Sequence, residues 1–416
     1  MPPIYRPIIL WLSVFAVAGT VFADEPTIAD GNRRFAIELY QASAKEKPGE
    51  NVIISPWSIT AMLGILSAGA RGETLAEIRN VMHTQAPPGE LASYFQSVAR
   101  NAVRSVKAGV PQSSLQIRNV LCLDQRFQAD NTFLHAAEQD FLAKLMRLDL
   151  RQPETAARDV NDWVRQNTQG RIQQLVTPQD LKPPGTTVDF LILNAVFFRG
   201  TWEKTFSRSS TKPAPFYLDE ETSVTTPMMH DDLRFMQAAA GKGFKLALLP
   251  YKSGNCSFVV LLPDKRDGLA ELEEKLTVAL LDETLAHAKE SRMDKPIDLK
   301  LPKFRFNHAQ SLQSTLESLG MPSAFSPEKA DLTGIAPPNP QPLQLFDVLH
   351  QTDIDVDEIG TIVASASMMG GGVGGGPPED ITKFHADHPF LFLIREETNG
   401  TILFIGRLAK PEPANR

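Results

Sequence analysis

The chain has 416 residues, 42% apolar and 22% charged, with a net charge of −7. This is an ordinary globular composition, long enough to bury a sizeable core. The acidic balance and the absence of a polybasic run exclude nucleic acid as an expected partner.

In chain order the first element is a targeting signal. Arg6 precedes an apolar run from Ile8 to Ala18, then Val21-Phe22-Ala23 and the acidic pair Asp24-Glu25. Those are the three regions of a cleaved signal peptide. The competing reading, a membrane anchor, needs ~20 apolar residues, and the run is shorter. Residues 24–416 are therefore expected as an exported mature chain, extracellular or periplasmic, without membrane contact. Helical periodicity follows at 29–45, 57–70, 73–83, 89–106, 130–141 and 155–169, with Pro56 suiting a helix entrance. Past residue 185, strand-like runs take over: Val188–Phe198, Lys245–Leu249, Phe258–Leu262, Ile297–Leu301, Leu343–Val348, Phe390–Ile394 and Ile402–Leu408. Several are apolar nearly throughout, so both faces of their sheets should be covered. Helices first and strands later point to an α+β fold. With no Pro- or Ser-rich linker, residues 24–416 are expected to form one domain.

The cysteines, Cys122 and Cys256, both sit in alternating runs. They either pair or serve as small buried hydrophobes, and two are too few for a zinc site. The sequons at Asn255 and Asn399 are acceptors only in an exported chain, and Asn399-Gly400 also reads as a hairpin turn.

One segment breaks the pattern. After a strand ending at Val356 come Asp357-Glu358-Ile359-Gly360, an uncharged run from Thr361 to Met369, glycine from Gly370 to Gly376 broken only by Val373, and Pro377-Pro378. The first half can form a strand, the second is flexible by composition, and the prolines stop any ladder. This reads as a potential strand tethered to an exposed, protease-sensitive tip, or as an ordinary disordered loop. The spacing Gly370, Gly372, Gly375 satisfies G-x-G-x-x-G, but prolines follow where a dinucleotide site needs a helix. His385-Ala386-Asp387-His388 lacks a third clustered ligand for a metal. Neither a G-x-S-x-G elbow nor H-E-x-x-H occurs, which argues against a hydrolase.

The segment and its surroundings resemble the serpin family over nearly the whole mature chain. Asn51 to Ile59 with Gly69 to Thr74, Asn161 to Val164 with Thr168, Gly170 and Ile172, and Leu193 to Trp202 match in order. So do Leu301 to Phe304, Leu319 to Met321, Val356 to Thr361, Phe384 to Phe392 and Gly400 to Arg407. The resemblance implies a serpin fold of three β-sheets and about nine helices with an exposed reactive-centre loop at 357–378. It implies an inhibitor without cofactors rather than an enzyme, expected to be a monomer. A target protease attacks the loop and forms an acyl-enzyme, and the loop then enters the largest sheet as a new strand. Inserting about twelve residues at ~3.3 Å each drags the protease ~40 Å.

By the same resemblance the hinge comprises Glu358, Gly360, Thr361, Val363, Ala364, Ser365 and Ala366. Glu358 pairs with Lys303 beside Trp202, where insertion begins. Ser55, Ser58, Asn194 and His350 form the polar cluster beneath the strands that must part. The family's spacing places the reactive bond between Gly374 and Gly375, with cleavage after Met369 or Val373 as alternatives. Glycine there points to a protease with a small or apolar primary pocket, elastase-like or subtilisin-like, while Val373 also suits a papain-like cysteine protease. Thr361, Val363, Ser365, Ser367 and Met369 share the face that turns inward, and none is charged. The departures are Ile359, Ile362 in a usually acidic position, Val363 for alanine, and glycines costing about 0.5–1 kcal/mol each in a strand. The rival reading is a non-inhibitory serpin: a carrier, a chaperone or a cleavable substrate.

Overall fold

A computed structural model describes residues 27–103, 114–181, 188–291, 296–337, 343–361 and 382–411. Helix α1 (Ile28–Glu46) starts at a capping box: the Thr27 hydroxyl accepts from Asp30 N–H, and the Asp30 carboxylate accepts from Thr27 N–H. Strand β1 (Val52–Ile54) leads into α2 (Pro56–Gly69), which has Pro56 in its first turn and is buried on nearly every side. Helices α3 (Gly72–Val81) and α4 (Pro88–Val103) follow, then β2 (Ser114–Asp124), α5 (Asn131–His135), β3 (Lys144–Leu148) and α6 (Pro153–Asn167). The second half brings β4 (Phe190–Thr201), β5 (Lys212–Tyr217), β6 (Ser223–Arg234), β7 (Gln237–Ala240), β8 (Phe244–Pro250) and β9 (Cys256–Pro263). Next are α7 (Leu269–Lys275), α8 (Val278–Glu290), β10 (Ile297–Pro302), β11 (Phe304–Ser311) and α9 (Gln313–Ser318). The chain closes with β12 (Val348–Val356), β13 (Gly360–Thr361), β14 (Thr382–His385), β15 (Phe390–Glu396) and β16 (Ile402–Leu408).

Among the described residues there are nine α-helices and three sheets. The main sheet runs β11-β12-β13-β4-β2-β3, the core sheet β1-β16-β15-β9-β8-β7, and the small sheet β14-β10-β6-β5. Strands β9, β15 and β16 are buried at every residue, as their apolar runs require. The larger apolar cluster lies between the back of the main sheet, the core sheet and the early helices. A smaller one lies on the front, where Ala157, Val160 and Val164 of α6 cover Cys122, Leu191, Leu193 and Leu349.

The α+β class holds, but the sequential division does not. Strands β2 and β3 precede residue 185, and α7, α8 and α9 follow it. Polar residues such as Arg118 and Asn119 dilute the alternation of β2, which is nonetheless central because it pairs with β4 over ten residues. The expected helix over 130–141 is α5 followed by a π-helical turn, Ala136–Asp140, that ends where Leu142 takes a φ of 55°. The strand expected at 343–348 begins only at Val348, where the ladders to Ile192 and Ser311–Leu349 start. Cys122 and Cys256 are free and buried, and burial pushes the Cys122 thiol up to about 12. The Asn399-Gly400 turn joins β15 to β16, with Gly400 at φ 73°.

Candidate functional site

The main sheet is split at one end and closed at the other. Over six residues β12 and β4 pair directly and in parallel, from Val348↔Ile192 to Asp353↔Phe197. Above that, β13 lies between them, antiparallel to both: Thr361 pairs with Val356 on one side and Gly200 on the other.

The turn from β12 to β13 is fixed by Asp357. Its backbone N–H donates to the Gly360 carbonyl (2.9 Å), and its carboxylate accepts from the N–H groups of Ile359 (2.8 Å) and Gly360 (3.1 Å). This is an Asx turn closing a hairpin. The segment after β4 grips the same turn from outside. Trp202 Nε1–H donates to the Asp357 carbonyl (2.9 Å), Phe206 N–H to that of Glu358 (2.8 Å), and Trp202 N–H to that of Ile359 (2.8 Å). Lys303 Nζ donates to Glu358 Oε2 at 2.9 Å. Burial alone would raise the Glu358 carboxyl, but the bond from Lys303 offsets it and holds the group below the usual carboxylate range. Gly360 is required by space: a Cβ there would lie 2.0 Å from the Gly200 carbonyl oxygen. Thr361 is buried, with its hydroxyl 2.7 Å from Tyr251 OH, and Tyr251 stacks on Trp202 at 4.9 Å between centroids.

The closed end is held by a polar row in the back of the sheet. The ladders place His350, Asn194 and Asn119 side by side on β12, β4 and β2. His350 Nδ1–H donates to Asn194 Oδ1 (2.8 Å), and Asn194 Nδ2–H donates to Asn119 Oδ1 (2.8 Å). Helix α2 seals the row from below. Ser55 N–H donates to His350 Nε2 (3.0 Å), and the Ser58 hydroxyl lies 2.9 Å from both Asn194 Oδ1 and the Ser55 carbonyl. The Ser55 hydroxyl reaches past the cluster to the Leu403 carbonyl (2.7 Å). Because Nε2 accepts, the His350 proton must sit on Nδ1 and the ring is neutral. Burial, followed by the charge of His308, lowers its pKa to about 3.

The structure thus brings Glu358, Gly360, Thr361, Lys303 and Trp202 together at the split, and Ser55, Ser58, Asn194 and His350 at the closure. Val363, Ala364, Ser365, Ala366 and the bond between Gly374 and Gly375 lie outside the described residues, as do residues 1–23. One site residue, Asn119, was not anticipated, and Asp357 was expected only as part of the hinge span, without its turn-closing role. Asn119 falls on the inward set of β2 with Leu121, where a polar residue stands out. Asp357 heads a D-x-x-G turn. Thr352 of β12 also has a partner, its hydroxyl donating to the Ile53 carbonyl (2.8 Å) and so tying β12 to β1. His385 and His388 serve different partners: Asp298 for the first, Asp387 and the Pro263 carbonyl for the second.

Comparison with known proteins gives a consistent result. The family profile described as Serpin (serine protease inhibitor) matches residues 30–411. The leukocyte elastase inhibitor of Bos taurus is 32% identical over 391 residues, covering 92% of this chain and 99% of the relative. Human kallistatin superposes with a TM-score of 0.79 at 28% identity, covering 93% of this chain and 99% of that one. Human thyroxine-binding globulin in complex with thyroxine gives a TM-score of 0.79 at 26% identity, covering 92% of this chain and 98% of that one.

Proposed function

This chain belongs to the serpin family, and on that premise we propose that it inhibits endopeptidases by trapping the acyl-enzyme and inserting the cut loop into the main sheet. The observation that carries this reading is β13, already seated antiparallel between β12 and β4 above a stretch where those strands still pair in parallel.

Continuing the register of Thr361 predicts what the cut loop meets. Residue 363 falls between Phe198 and Ile354, 365 between Val196 and Thr352, 367 between Asn194 and His350, and 369 between Ile192 and Val348. The sequence suits that order: Val363 meets apolar walls, Ser367 meets the polar row, and Met369 meets apolar walls again. Insertion must part His350 Nδ1 from Asn194 Oδ1, and a serine hydroxyl, both donor and acceptor, can bridge them. One short parallel ladder is exchanged for two longer antiparallel ones, which are also slightly stronger per residue. Val363 is bulkier than the alanine usual there but favours strand, so insertion proceeds.

The target is a serine-type protease of small or apolar primary specificity, elastase-like or subtilisin-like, cutting between Gly374 and Gly375. The protein acts as a monomeric single domain, exported after cleavage at Ala23. A mature N-terminus at Asp24 would be read by mass spectrometry. Incubation with such proteases and denaturing electrophoresis test the function. A covalent complex that survives denaturation is expected, whereas complete loop cleavage with the protease still active would reject inhibition. The second reading, a carrier or cleavable substrate, is favoured by the likeness to thyroxine-binding globulin and by the glycines beyond Met369.

A further inference from the structure

Trp202 and Phe206 grip the hinge turn, yet residues 203–207, between β4 and β5, belong to no ladder; the last pairing before them is the single bridge Trp202↔Tyr251. Other contacts must hold this segment in place. One is Glu203 N–H, which donates to the Pro250 carbonyl at 2.8 Å. Another comes from the small sheet. Arg234 is the last residue of β6, paired with Ile297 of β10, and only 2% exposed. Its Nη2–H donates to the Lys204 carbonyl at 2.5 Å. Its guanidinium carbon stands over the Phe206 ring, 4.6 Å from the centroid. Asp231 also reaches Lys204, at 2.9 Å from Nζ, but that lysine is half exposed and such a pair contributes little. One buried side chain therefore fixes residues 204 and 206 at once, and Phe206 N–H is the donor to the Glu358 carbonyl.

Burying that charge is expensive. Burial lowers the Arg234 pKa to about 10, so the group stays protonated at neutral pH. Its Nη1 has no hydrogen-bond acceptor among the described residues and lies 3.7 Å from the Asp231 carboxylate. A side chain kept for stability alone would serve better as a packed hydrophobe. What the guanidinium adds is placement. It is planar and rigid, so a bond from one nitrogen and a ring beneath its carbon set the backbone at 204 and the side chain at 206 relative to β6.

We propose that Arg234 is a positioning residue for loop insertion: through Lys204 and Phe206 it holds the Glu358 carbonyl still, so that the cut loop swings in from a fixed corner. This rests on the insertion reading. Among the described residues Arg234 bonds to no hinge residue directly, and it acts only through the segment it holds. It therefore leaves the first cut alone and changes the competition that follows, insertion against hydrolysis of the acyl-enzyme.

R234M keeps the length and the burial while removing the charge and the donor. In the full chain, hydrogen–deuterium exchange of a peptide spanning 201–210 should rise about fivefold, as the loss of one hydrogen bond predicts. A peptide from β9 and the urea midpoint should not move. With an elastase-like or subtilisin-like protease, the number of molecules cut per covalent complex should rise about fivefold, at an unchanged rate of first cleavage. R234K keeps a donor and a cation over the ring, and should recover most of both effects. Unchanged exchange at 201–210 would overturn the proposal. So would a rise shared by β9 with a fall in the urea midpoint, which marks a merely structural residue. Faster local exchange without a change in the cut-to-complex ratio would overturn the role in insertion while the insertion reading stands. A wild type that gives no covalent complex rejects that reading and the role in insertion together, and exchange then decides the grip alone.

Discussion

His350 makes the closure of the sheet sensitive to acid. An unfolded histidine titrates near pH 6.5, whereas burial holds this one at about 3. Between those values the unfolded chain binds the extra proton, so stability is full above pH 6.5 and falls as pH drops, by ~1.4 kcal/mol per unit from this group. His308, also lowered chiefly by burial, acts in the same direction. Urea unfolding between pH 7 and 4.5 should show the decline, and H350Q should flatten much of it; a wild-type midpoint that does not move would contradict the neutral, buried assignment. Ser367 carries a complementary prediction. S367V should leave the intact form unchanged and destabilise the cut form by about 1–3 kcal/mol, the cost of a buried group left unbonded, measured by thermal melting of both forms. At this scale the sequence is uneven as a guide. Lys303, Glu358 and His350 were found through a resemblance in their local motifs, since residues 55 and 295 positions apart say nothing of contact by themselves. Asn119 escaped because its role depends on which strand lies beside β2, a long-range fact that no local pattern contains.

Among the elements, β12 and β4 decide whether the loop has somewhere to go. Thr361 enters between them with its side chain in the core, 1% exposed. An arginine in that place would bury an unpaired charge at a cost of several kcal/mol. T361R should therefore be cut as a substrate, with the covalent band lost and protease activity recovered; an undiminished covalent complex would contradict the insertion path. Helices with clear periodicity, α1, α2, α4 and α6, were legible to within a few residues, and so were the largely apolar strands β9, β15 and β16. Of the polar strands, β12 was legible by its end at Val356, and β11 was not read. β11 alternates buried and exposed residues in perfect order but carries Asn307, His308 and Gln310, and the inward His308 and Gln310 conceal its apolar face. β12 reads as polar from His350 to Asp355, although its even-numbered residues line the core.

For the whole molecule, the proposal requires that the intact chain is not the most stable arrangement of its own sequence. The closed end of the main sheet holds six parallel residue pairs, and inserting the loop replaces them with a longer strand bonded on both sides. Protein clipped between Met369 and Pro378 should melt well above the intact chain by calorimetry; equal or lower melting would remove the driving force. The three-sheet arrangement itself could not be derived from periodicity. The core sheet joins β1 from residue 52 to β16 from residue 402, and only a resemblance across the full chain brought such distant segments together.

The turn at Asp357 also bears on timing. Starting a new strand ordinarily means fixing several residues before any bond repays them. Here the corner is folded, its carbonyls are already occupied and the first pair is in register, so that under the proposed mechanism this outlay precedes the protease's arrival. What remains is propagation, one residue after another, against a fixed number of contacts to undo. In the proposed trap, insertion would therefore begin without a nucleation step, ahead of the water that would otherwise hydrolyse the ester.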